Sequence, residues 1–118
     1  MNELHLLEEA KSVYSKLGAA KPQQQFSTLL RKLIESYKSI LDAIYLEASE
    51  SEAGRRWYKN MVEKRSLLVF DIKEGDMKKL LNKFDYSLPQ NKLVIAAKLY
   101  LDEVTKIIYS GLGRYISG

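Results

Sequence analysis

Apolar residues recur at three- and four-residue steps along most of this chain, with polar residues between them. Leu4, Leu7, Ala10, Tyr14 and Leu17 form the first such stripe, which stops at Gly18. This spacing predicts a helix, because a 3.6-residue turn brings positions i, i+3, i+4 and i+7 onto one face. A longer stripe follows Pro22: Phe26, Leu29, Leu30, Leu33, Tyr37, Ile40, Leu41, Ile44 and Tyr45. Proline suits the start of that helix, where its missing N–H would have no partner in any case. The stretch EASESEAGRR (47–56) has no apolar period and contains Ser49, Ser51 and Gly54, so it is expected to be a loop.

The helical pattern resumes at Trp57. Met61, Leu68 and Ile72 fall on one side, with Tyr58, Val62 and Val69 beside them. Gly75 interrupts this third helix, where a kink or a close neighbour is expected, and Met77, Leu80, Leu81 and Phe84 extend the apolar face. SLLVF (66–70) has the composition of a short strand, but its flanks read as helical and no hairpin partner is evident. DYSLPQN (85–91) predicts a turn, with Ser87 as a cap and Pro89 in the first turn of the last helix. That helix places Leu93, Ala97, Tyr100, Val104, Ile107 and Ile108 on one side and loosens at Gly111 and Gly113. The expected fold is all-α: a single domain over residues 1–118, built as an antiparallel bundle of four to five helices.

Composition supports a packed domain. The chain has 118 residues, 46% of them hydrophobic, which suits one core. No apolar run is long enough to span a bilayer, and the acidic N-terminal stretch does not read as a signal peptide. The absence of cysteine excludes disulfides and thiolate chemistry, and fits a reducing compartment: the cytoplasm or nucleoid, or a nucleus. Charge is unevenly distributed. Residues 1–54 hold 6 Lys and Arg against 8 Asp and Glu, whereas residues 55–118 hold 13 against 7, a net of +6. A basic half can face nucleic acid or an acidic protein.

The residues give little support to catalysis. His5 is the single histidine and lies near the terminus, where a surface role is expected. Glu8 and Glu9 are adjacent, so a helix points them in different directions. Glycine-rich phosphate loops and Glu-x-x-His pairs are missing from the sequence. A non-enzymatic protein without catalytic residues, cofactor or metal is therefore expected. Binding is the remaining theme. RRWYKNMVEKR (55–65) interleaves Arg55, Arg56, Lys59, Lys64 and Arg65 with Trp57 and Tyr58, and Lys78, Lys79 and Lys83 follow. These eight cations are candidates for a patch that meets nucleic acid or a helicase, since cations neutralise phosphates and aromatics stack on unpaired bases. Eight tyrosines against three phenylalanines point instead to half-buried contacts with other subunits. The candidate protein interface is Tyr37, Tyr45, Trp57, Phe70, Tyr100 and Tyr109, with Tyr115 on the margin.

The segment EKRSLLVFDIKEGDMKKLL (63–81) resembles the signature helix of the GINS replication-complex subunits. In that family a basic pair precedes an apolar stretch ending in an aromatic, followed by a basic–aliphatic helix. Here these are Lys64 and Arg65, Leu67 to Phe70, and Lys78, Lys79 and Leu80. ELHLLEEAKSVY and FSTLLRKLIESYKSILDAI resemble the first helices of the family's helical A domain, and YSLPQNKLVIAAKLYLDEVTKII its Leu-Pro turn and closing helix. The chain is acidic over Glu74 to Asp76, where the family often has arginine, and residues 1–118 are expected to match the A domain alone, without the β-rich B domain that family members usually join to it. The resemblance implies a scaffold that joins other GINS subunits and bridges the MCM helicase to a RecJ-like Cdc-forty-five factor, with at most weak nucleic-acid contact and no membrane. The alternative from the residues alone is a small basic helical protein that binds nucleic-acid backbone, such as a CRISPR small subunit or a plasmid or viral accessory factor. A purely structural homodimeric bundle is a third.

Overall fold

The computed structural model describes residues 3–19, 23–65, 67–69 and 72–116. The fold is a helical bundle with one short hairpin. The elements run α1 (Glu3–Leu17), α2 (Gln23–Ala48), α3 (Glu52–Tyr58), a π-helical turn (Lys59–Glu63), β1 (Leu67–Val69), β2 (Ile72–Glu74), α4 (Met77–Asn82) and α5 (Gln90–Gly111).

α1, α2 and α5 form the body. Leu7, Ala10 and Leu17 of α1 are buried, as are Phe26, Leu30, Leu33, Tyr37, Ile40, Leu41 and Ile44 of α2, so most of both stripes packs as the spacing implies, while Leu4, Tyr14 and Leu29 are half-buried and Tyr45 is exposed. All six seam residues expected on α5 are buried as well. Tyr37 donates its hydroxyl to the Ala97 carbonyl at 2.8 Å, which sets α2 against the middle of α5. Glu3, at the start of α1, meets Glu47, near the end of α2, so these helices are antiparallel. The first turns of α2 and α5 share one cavity wall, so those two run parallel.

Several expectations need correction. The loop over 47–56 shrinks to Ser49–Ser51. Ser51 caps α3 by accepting the Gly54 N–H at 2.9 Å, and Glu52 sits in the first turn, where the helix dipole favours an acid. Gly54 is therefore helical and buried; a β-carbon there would lie 2.0 Å from the Ala48 carbonyl oxygen. The absence of a side chain lets α3 fold back against the end of α2.

The continuous helix over Trp57–Phe84 is not formed. Helix gives way to a π turn, closed by Lys64 N–H to the Lys59 carbonyl at 2.8 Å, and then to an antiparallel hairpin in register Leu67↔Glu74, Leu68↔Lys73 and Val69↔Ile72. Four consecutive apolar residues, Leu67 to Phe70, would surround a helix rather than line one face of it. Gly75 lies between β2 and α4 instead of kinking a helix, and Asp76, in a left-handed conformation (φ 50°), caps α4 through the Lys79 N–H.

Gly111 does not loosen the end of α5. It is the last helical residue and is buried, with a notional β-carbon 2.5 Å from the Trp57 indole. After it the chain turns back, with Arg114, Tyr115 and Ile116 N–H groups all directed to the Gly111 carbonyl. In the turn before α5, Ser87 is not a helix cap: its N–H and hydroxyl both donate to Asp85, and Pro89 occupies the N-cap position.

Candidate interaction surface

The candidate interface residues separate into three groups. Tyr37 and Tyr100 belong to the core, at 0% and 4% exposure, and a partner cannot reach them while the bundle is folded. Burial pushes the Tyr37 hydroxyl well above the ordinary tyrosine range, because its charged form would lose solvation. Trp57 is half-buried. It donates its indole N–H to Ser110 Oγ at 3.1 Å and packs on Tyr115, ring centres 5.3 Å apart, so it pins α3 to the end of α5. Tyr45 and Tyr109 are surface residues, 48% and 58% exposed. Phe70 lies outside the described residues.

Tyr45 is adjacent to a residue that seam reasoning passed over. Leu46 is 68% exposed, the largest value among the exposed large apolar side chains, and one residue step turns a helix by about 100° away from the seam. The Tyr45 ring meets Tyr58 edge-on at 5.1 Å, so the end of α2 offers an exposed apolar pair braced by a buried aromatic. Ile95, 49% exposed, was missed for the same reason as Leu46. Ile95 and Tyr109 are 14 residues apart, four helical turns, and share the outer face of α5. Each was legible in principle as an apolar residue off its helix's buried stripe.

The eight candidate cations do not form one open strip. Arg65 donates Nε to Glu103 at 2.5 Å, in a pair whose side chains are only 22% and 13% exposed. Lys78 pairs with Asp42 of α2. Lys79 lies 3.8 Å from the Asp76 carboxylate, and Arg55 donates to the Ser49 carbonyl at 2.8 Å. Arg56, Lys59, Lys64 and Lys83 are exposed, and no ion pair holds them among the described residues. Glu52 of α3 and Glu63 of the π turn are exposed as well, adding negative charge to these elements.

His5 is exposed and faces Glu9 at 3.1 Å on the same helix. Among the described residues no group of three His, Cys, Asp or Glu side chains is placed to hold a metal ion. No described helix is long and apolar enough to cross a membrane. Comparison with protein-family models, with curated proteins and with solved structures finds no match to this chain.

Proposed function

We propose that this protein is a non-enzymatic helical scaffold whose partner is another protein. One contrast carries the reading: half of the candidate cations are engaged within the chain, whereas large apolar side chains at Tyr45, Leu46, Ile95 and Tyr109 stand exposed. Phosphate-backbone binding requires several free cations along a common track, since each neutralised phosphate releases counterions and adds affinity. Protein contacts draw on exposed aromatic and aliphatic anchors.

A GINS-type subunit that helps bridge the MCM helicase and a RecJ-like factor is the more particular form of this proposal. It rests on the sequence resemblance. The hairpin at 67–74 replaces helix within the signature stretch, which removes part of that resemblance's structural basis. The resemblance of the first two helices and the closing helix does not depend on that stretch.

Light scattering in salt steps, with and without single-stranded DNA, separates the readings. The scaffold reading expects no mass gain with DNA, and co-purification with a protein partner that Leu46→Glu and Tyr45→Ala weaken. Mass gained with DNA at low salt, lost at high salt and reduced by Arg56→Gln and Lys59→Gln would replace the scaffold with the backbone-binding alternative. Co-expression with GINS proteins tests the particular form; failure to associate with them while binding another protein would remove GINS and keep the scaffold.

A further inference from the structure

A cavity of about 240 Å³ lies between the first turns of α2 and α5, closed on one side by the turn before α5. Its buried floor is Phe26 and Leu93, 2% and 6% exposed. Its polar lining is Ser27, Arg31 and Gln90, with Tyr86 on the wall. The Arg31 guanidinium lies over the Tyr86 ring, 4.2 Å from its centre. The ring attracts the cation through its face, and no hydrogen bond or carboxylate of the described residues engages the Arg31 N–H groups.

The geometry points to a site in this cavity for a small organic carboxylate. A carboxylate is planar and matches the free fork of Arg31 with two parallel hydrogen bonds. Ser27 and the Gln90 amide supply further donors. The Ser87 donors do not contribute, because both are held by Asp85, a carboxylate that is exposed and outside the lining. The floor, Phe26 and Leu93, is almost fully buried, so the surface a ligand meets is mainly polar, with a small apolar area for the ligand's body. The volume is below the roughly 300–1,000 Å³ of drug-sized pockets, so the ligand is small. The field has the right sign: α5 begins at Pro89 with no side-chain cap and no acid in its first turn, leaving the positive end of a 22-residue helix uncompensated. The inference is independent of the scaffold reading, which concerns other surfaces.

The test is a titration of the whole chain with hexanoate, read by amide and arginine side-chain NMR, with hexanol as a probe of the same apolar body. Saturable shifts at Ser27, Arg31 and Gln90 with hexanoate, and none with hexanol, are expected. Arg31→Gln should weaken binding about tenfold, the scale of losing hydrogen bonds to a charged group. Ser27→Leu, at an exposed position, should block the cavity while leaving Arg31 in place. Arg56→Gln should change nothing. Hexanol binding as well as hexanoate, shifts spread over the exposed cations, or no saturable shift at the cavity would each overturn the site.

Discussion

Glu3 departs furthest from what its residue type would suggest. It is 1% exposed, and its Oε2 has no hydrogen-bond partner. Glu47 lies close to it, and a neighbouring carboxylate favours the protonated form of a buried acid. Burial first, and Glu47 in addition, raise the Glu3 pKa above its ordinary 4.5. Glu47 also lines a cavity with Glu50 and Arg114. The folded state thus binds the Glu3 proton more tightly than the unfolded chain. The resulting stability is fully present below pH 4.5 and is lost as pH rises through the folded value. Glu3→Gln should flatten that decline and make the protein more stable than the native chain at pH 8. Urea unfolding followed by the fluorescence of Trp57 checks it, and parallel curves from pH 4 to 8 would show that folding does not raise the Glu3 pKa.

At the scale of elements, the α2–α3 junction is the tightest join. Alanine inside a helix normally gains about 1 kcal/mol over glycine. At Gly54 that gain meets a backbone carbonyl 2.0 Å away, which cannot rotate aside as a side chain would. Overpacking of this kind costs about 1–3 kcal/mol, so Gly54→Ala should destabilise by up to about 2 kcal/mol net. Gly18, with nothing within 4 Å of its notional β-carbon, is the control: Gly18→Ala should be close to neutral in the same urea assay. The serines and glycine of 47–56 suggested a loop by composition. Ser51, Glu52 and Gly54 can equally be read as a cap, a first-turn acid and a close approach. Composition alone does not choose between these readings, because the choice depends on what the end of α2 presents to them.

The whole molecule is flat, about 46 × 30 × 17 Å, and a helix with its side chains is about 10–12 Å across. Its core is therefore thin, and each long helix keeps an outer face in solvent, which is how Leu46 and Ile95 come to be exposed. Across this thin body, Arg65 and Glu103 join the segment before the hairpin to α5 over a separation of 38 residues. Both side chains are largely buried, so the pair differs from a surface ion pair. A double-mutant cycle with Arg65→Ala and Glu103→Ala should give a coupling of about 0.5–3 kcal/mol. A coupling near zero would mean that the hairpin segment is held by other contacts.

The apolar period by itself determined α1, α2 and α5 and most of their buried faces, though not Val13, Ile34, Ala96 or Leu101, because burying a stripe is the main driving force for those helices and its spacing is written locally. Leu7, Tyr37 and Ile107 could be assigned to the core without a structure. Tertiary structure alone decided the rest. Whether Leu67–Val69 joins a helix or a strand depends on whether Ile72–Glu74 pairs with it. Whether Arg65 is a free cation depends on Glu103, and whether Arg31 lines a cavity depends on Tyr86. Each of these turns on a partner in another element, and single-chain periodicity carries no information about which elements meet.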